Sequence, residues 1–193
     1  MFKIQYHYPT KPWIQTQVWG VFNPFYQQFG FSLHNGLDYA LGRDSLVRWP
    51  WSIGGTVRDT ITQSGGGNVL AIVSDEVELM GVKCFILVDF LHLKEFKVKI
   101  GDKVKTGDIV AIGDNTGTAT SGPHTHEQCR RVVKASDGSL IRLDTNQANN
   151  SFDQFVYKSG YYAEDIGSWR EQLTRIALAL QKIVESLKGR KLI

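Results

Sequence analysis

The sequence predicts a mostly β domain, an antiparallel sheet followed by one C-terminal α-helix. Three observations predict it. Residues 68–79 (Asn-Val-Leu-Ala-Ile-Val-Ser-Asp-Glu-Val-Glu-Leu) and 82–93 (Val-Lys-Cys-Phe-Ile-Leu-Val-Asp-Phe-Leu-His-Leu) are rich in β-branched residues and flank a turn at Met80-Gly81. Residues 98–114 place turns at Gly101-Asp102 and Gly107-Asp108 around one short strand, a turn density that belongs to an all-β layer. From Ser168 the period changes, and Trp169, Leu173, Ile176, Leu180, Ile183 or Val184, and Leu187 fall at helical spacing.

Residues 1–28 read as an aromatic N-terminal arm. Pro9, Pro12 and Pro24 rule out a continuous helix, and one short strand fits near Ile14–Val18. The arm's aromatics (Trp13, Trp19, Phe22, Phe25, Tyr26) are expected to pack on the main domain, with a groove wall as the alternative. Residues 29–40 read as a loop entering a strand, because Gly30 and Gly36 argue against a helical turn and Leu37 and Tyr39 alternate with Asp38. Residues 41–64 read as a strand, a Pro50 turn and a second strand to about Ile61, with Trp49 and Trp51 partly exposed. Gly65-Gly-Gly67 is a turn, and Asp137-Gly138 turns a hairpin over 131–143. Residues 144–167 are polar and loop-like. Ser168-x-x-Glu171 is a capping box for a helix at 168–188, and Gly189 is its C-cap, with Lys188, Arg190 and Lys191 at the negative end of the dipole. That helix is expected to pack on the domain's own surface, with self-association or docking as the alternative.

A chain of 193 residues, 42% hydrophobic and 21% charged, fits one globular domain plus appendages. Net charge +3 suits contact with an anionic polymer, but there is no Lys/Arg run with interleaved aromatics, so nucleic acid is not expected. No apolar run reaches membrane-spanning length, and the N-terminus lacks the basic and apolar regions of a secretory signal. Cys84 and Cys129 read as small buried hydrophobes.

The chemistry concentrates in Gly113-Asp-Asn-Thr-Gly-Thr-Ala-Thr-Ser-Gly-Pro-His-Thr-His126. Two of the chain's five histidines close this loop at spacing i, i+2, which puts both imidazoles on one face of a strand. Upstream, His34-Asn-Gly-Leu-Asp38 offers an imidazole and a carboxylate four residues apart. Two histidines, one carboxylate and one open position make a catalytic zinc site.

Together these residues resemble the lysostaphin-type zinc endopeptidases of the bacterial cell wall. His34-x-x-x-Asp38 resembles the family's first ligand pair, and Phe90-Leu-His-Leu93 its aromatic-x-His-Leu strand. Val98–Asp114 resembles its Val-x-x-Gly-x-x-Val-x-x-Gly-x-x-Ile segment, and Gly113–His126 its Gly-x-x-Gly-x-x-x-Gly-Pro-His-x-His run. The resemblance implies a zinc peptidase domain over 29–150, with a narrow groove in a lysostaphin-like, barrel-sandwich sheet. It implies one zinc per chain on His34, Asp38 and His126, with His92 and His124 facing the site without ligating the metal. The implied substrate is the peptide part of peptidoglycan, with Trp49, Trp51, Asn35 and Thr116 as expected contacts. The implied place of action is the cell wall, reached in a virus particle or by a route without a signal peptide.

Some positions depart from the family. Thr125 stands where Leu is usual, Glu127-Gln128 where an aromatic follows, and Trp49-Pro-Trp51 where Ala-Pro-x-x-Gly is usual. These changes bear on substrate preference. Asp44 and Asp89 are candidates to orient the imidazoles. Two rivals stand beside the enzyme. One is a non-catalytic wall-binding module on the same fold, whose mark is a missing ligand. The other is a biotinyl or lipoyl carrier, whose modified lysine would be Lys83.

Overall fold

The structure, a computed structural model, describes residues 6–7, 9, 14–30, 32–40, 44–79, 81–143, 151–152 and 158–160. Met1–Ser159 form one compact unit of the chain. The helix expected at 168–188 lies outside the described residues, as do most of the loop-like residues 144–167.

The strands are β1 (Tyr6–His7), β2 (Ile14–Gln17), β3 (Leu37–Ala40), β4 (Leu46–Arg48), β5 (Gly55–Gln63), β6 (Gly67–Ser74), β7 (Val77–Leu79), β8 (Val82–Phe96), β9 (Lys103–Val104), β10 (Ile109–Gly113), β11 (His124–Lys134), β12 (Leu140–Arg142) and β13 (Lys158–Gly160). A 3-10 helix spans Pro24–Phe29. Eleven strands form one sheet with the main path β2-β3-β11-β8-β6-β5-β9, and β1 pairs with β13. The registers along that path are antiparallel. The path ends at β2 and β9, so among the described residues the sheet is open.

Strand β8 shows why the sheet has two unlike faces. Cys84, Ile86, Val88 and Phe90 are buried, while the alternate residues Phe85, Leu87, Asp89 and Leu91 are only half-buried. Period-two alternation therefore seals one face and opens the other. Leu37, Leu70 and Ile72 complete the sealed side, where each such side chain contributes about 1.5–3 kcal/mol. Cys84 and Cys129 are both buried.

Tight turns hold the short strands. Gly101 (φ +92°) and Gly107 (φ +86°) take the left-handed conformation that glycine adopts without strain. The aspartate after each accepts from the amide three residues before it, Lys99 to Asp102 at 3.0 Å and Lys105 to Asp108 at 2.9 Å. The same sequence device thus makes the same turn twice.

Trp49 and Trp51 correct the sequence reading. Both are fully buried, not partly exposed. Trp49 Nε1 donates to the Ile53 carbonyl at 2.6 Å, and Trp51 packs edge-on to Tyr6 at 5.2 Å and beside Phe152 at 6.2 Å. The arm divides its aromatics. Tyr6 enters the core, and Trp19 Nε1 donates to Ser151. Phe25 and Phe29, on the 3-10 helix, stay exposed. Asn23 starts that helix by accepting the Phe25 amide at 3.0 Å, with Pro24 in its first turn.

Candidate active site

Strand pairing brings the sequence-predicted ligands together. His126 on β11 sits directly opposite Asp38 on β3 and Leu91 on β8, so the three share the open face of the sheet. His34 enters from the loop before β3. Its Nδ1 lies 2.9 Å from the Val18 carbonyl. A proton on Nδ1 donates there and leaves the Nε2 lone pair facing the site. All three side chains are buried.

The donor atoms form a closed triangle. His126 Nδ1 is 2.9 Å from Asp38 Oδ1 and 3.1 Å from His34 Nε2, and His34 Nε2 is 3.3 Å from Asp38 Oδ1. Ligands about 2.0 Å from a tetrahedral zinc stand about 3.3 Å apart. The triangle therefore fits such an ion with little movement, and two nitrogens with one carboxylate oxygen are the donor set of a catalytic site. Burial works to raise the Asp38 carboxyl pKa, but hydrogen bonds from His126 and His34, and their charge, outweigh it and hold the group well below the usual carboxylate range. Burial lowers His126 below its ordinary value, against the pull of Asp38. An ionised carboxylate and a neutral imidazole are what a metal requires.

Gly36 explains part of the spacing in His34-Asn-Gly-Leu-Asp38. A Cβ there would lie 2.4 Å from the Glu127 carbonyl oxygen and 2.7 Å from His126 Nε2. Only glycine lets the loop press this closely on the His126 ring.

His92 reaches the open face through a β-bulge. Pairing between β6 and β8 slips by one residue between Asn68–Leu93 and Leu70–Phe90. Strict alternation would turn His92 toward the core beside Phe90. The bulge, with His92 at φ +64°, turns it toward the site instead. A non-glycine residue in this region is strained, and two hydrogen bonds hold it there. Its amide donates to the Gly66 carbonyl at 2.9 Å, and its Nδ1 lies 2.9 Å from the Thr116 carbonyl. Burial lowers its pKa to about 4 despite the Thr116 bond. Its ring lies 4.7 Å from the His124 ring. His124 Nδ1 is 2.8 Å from the Gly122 carbonyl, and its Nε2 is 3.7 Å from Asp38 Oδ1. Both rings are thus fastened through Nδ1 and turn Nε2 toward the groove.

In the sequence Tyr26 is only one of the arm's aromatics. It stacks on the His34 ring at 5.2 Å, and burial, then the Asp38 charge, push its pKa up to about 12. The Asn23-Pro24 helix start was the available signal for a turn that folds back over the site. Phe25 and Phe29 line the same cavity of about 300 Å³, together with Asn35, Leu91 and His126. Of the arm's aromatics, Phe25 and Tyr26 thus line the cavity, joined by Phe29 just beyond the arm, while Tyr6 packs in the core.

Other expected contacts fall elsewhere. Trp49 and Trp51 are sealed in the core and are not available to a substrate. The Thr116 hydroxyl donates to the Leu93 carbonyl at 2.7 Å and accepts from the Asn68 amide at 3.0 Å. It acts within the fold, and its carbonyl anchors His92. Asp44 pairs with Lys94 at the surface, and Asp89 pairs with Arg130, so neither orients an imidazole in the way considered from sequence.

Comparison with known proteins finds similar sequences and a similar fold. The profile of Peptidase family M23 matches residues 32–138. The chain is 36% identical over 95 residues to Glycyl-glycine endopeptidase ALE-1 of Staphylococcus capitis, covering 49% of this chain and 24% of that protein. It is 28% identical over 137 residues to Lysostaphin of Staphylococcus simulans, covering 70% of this chain and 26% of that protein. The chain thus spans about a quarter of the length of these relatives. Among solved structures, LytU superposes with a TM-score of 0.51 at 28% identity, over 69% of this chain and 83% of that one.

Proposed function

The chain belongs to Peptidase family M23, and from that premise we propose that it is a zinc-dependent endopeptidase that hydrolyses peptide bonds in bacterial peptidoglycan. The observation that carries the reading is the triangle of His34 Nε2, Asp38 Oδ1 and His126 Nδ1, with edges of 2.9 to 3.3 Å at the floor of an open groove. The resemblance to the lysostaphin-type enzymes carries the substrate class.

His34, Asp38 and His126 would hold the ion. A zinc bound there supplies Lewis acidity, which polarises a peptide carbonyl and lowers the pKa of water toward ~7. The remaining steps belong to the protein's own side chains. His92, neutral down to about pH 4, carries a free Nε2 lone pair and takes the proton of the attacking water. His124 stands nearer the groove mouth, with Nε2 turned toward the carboxylate of Asp38. It donates to the developing oxyanion or to the leaving amine. The Thr116 carbonyl keeps the His92 proton on Nδ1 and its Nε2 free to accept, while the Gly122 carbonyl takes the Nδ1 proton of His124, whose Nε2 donates when that ring carries both protons. Phe25, Tyr26 and Phe29 wall the groove and hold water away from the reacting bond.

The test is release of free amines from purified peptidoglycan by the wild type, with a chelator control and zinc add-back. Release that stops with chelator and returns with zinc is the expected result. Absence of release from several wall types by zinc-loaded protein would sink the enzymatic reading and leave a wall-binding module.

A further inference from the structure

Beyond His126 the groove floor continues along β11. Gln128 and Arg130 lie on the same face as His126, two and four positions further on, opposite Asp89 and Leu87 of β8. Both line the cavity that holds His126 and Leu91. Both are nearly buried, at 3% and 8% exposure. Arg130 Nη1 donates to Asp89. The Nε of Arg130 and the amide nitrogen of Gln128 have no hydrogen-bond partner among the described residues.

Folded proteins keep few buried donors without acceptors, because each costs far more unpaired than paired. Here two occur in sequence register on one strand face, beside the candidate metal ligands. Thr125 Oγ1, on the other face of β11, also lacks a partner, but it is fully sealed and no ligand reaches it. Gln128 and Arg130 instead line the groove cavity, with the unpaired nitrogens themselves covered. Asp89 already matches the charge of Arg130, so the acceptor that suits the remaining Nε is a neutral carbonyl oxygen.

We propose that Gln128 and Arg130 are specificity-determining residues that bind main-chain carbonyls of an extended peptide running from the metal ligands along β11. The proposal rests on the peptidase reading and deepens it. Residues two and four places along a strand stand about 7 and 14 Å from His126. An extended peptide covers those distances in about two and about four residues. The enzyme therefore requires a substrate segment about four residues long on one side of the cleaved bond. On the other side the requirement is weaker. Contacts this far from the reacting bond raise kcat/KM only for substrates long enough to make them.

The experiment begins by mapping the cleaved bond in digested peptidoglycan by mass spectrometry. Synthetic peptides spanning that bond, capped at both ends, are then trimmed one residue at a time from each side. Rates are measured for wild type, Gln128→Met and Arg130→Lys, the lysine keeping the ion pair with Asp89. In wild type, trimming one side lowers kcat/KM in two steps of about 5- to 10-fold, near the second and fourth residues. Gln128→Met loses the first step and Arg130→Lys the second, so the long-to-short ratio falls in each. Equal loss on long and short peptides marks a merely structural role and overturns the proposal. Equal rates of wild type on all lengths overturn it as well. Failure of the wild type to release any chelator-sensitive product from peptidoglycan is a different result. It removes the peptidase reading itself, and the proposal falls with it.

Discussion

Strand β11 carries two buried polar clusters on opposite faces, and they differ in how they are closed. On the sealed face, Glu127 accepts from the Tyr6 hydroxyl at 2.6 Å and from the Cys129 thiol at 3.6 Å, and the Tyr6 and Tyr39 hydroxyls meet at 2.6 Å. Burial raises Tyr6 and Cys129 well above their ordinary values and pushes Glu127 up to about 8. That cluster is satisfied internally and ties the N-terminal arm to the sheet. On the open face, His124, His126, Gln128 and Arg130 point atoms at a groove, and the three ligand atoms crowd within 3.3 Å of one another. A satisfied buried cluster stabilises a fold. A crowded or unsatisfied one, lining a groove, is built for something that binds.

The comparison makes graded predictions. The largest effect is expected on the open face from Asp38→Ala or His126→Ala, which remove a ligand. Hydrolysis of peptidoglycan should fall by about 10⁴-fold or more, measured as amine release. Next come His92→Ala and His124→Ala. Each should lose about 10²- to 10⁴-fold in kcat. A rate near wild type in either variant would remove that imidazole from the mechanism.

The sealed face should respond in stability, not rate. Tyr6→Phe strips Glu127 and Tyr39 of a shared partner and should cost about 1–3 kcal/mol in denaturant unfolding, with little change in amine release. A large rate loss at unchanged stability would erase the distinction between the two faces. The sealed face also carries a pH dependence. Burial holds the Glu127 pKa near 8 in the folded chain, against an ordinary value of 4.5. Between those values the unfolded state is ionised while the folded state keeps its proton. Stability is therefore present below about pH 4.5 and is lost as pH rises toward about 8. Glu127→Gln cannot ionise, so its unfolding midpoint should decline less than wild type between pH 5 and pH 8. Parallel profiles for the two proteins would count against the assignment.

Sequence reached the candidate site better than its surroundings, and the reason is physical. His34-x-x-x-Asp38 and His124-x-His126 encode geometry locally, through strand alternation and a glycine that lets the loop close. The repeated Gly-Asp turns and the Asp137-Gly138 hairpin are local in the same way. Trp51 is buried by residues distant in the chain, Tyr6 on one side and Phe152 on the other, which local sequence does not show. The strand read over 82–93 continues to Phe96, and a bulge set by pairing with β6 turns the His92 ring. Tyr26 over His34 and the unpaired donors of Gln128 and Arg130 depend on which strands become neighbours, which periodicity does not state.

The central claim is that the open face of β11 holds one zinc through His34, Asp38 and His126, with His124 outside the ligand set. The most direct test is the zinc content of purified wild type, His126→Ala and His124→Ala, measured side by side by mass spectrometry of the metal. The account predicts one zinc per chain in wild type and in His124→Ala, and none in His126→Ala. Zinc retained by His126→Ala, or lost from His124→Ala, would contradict it.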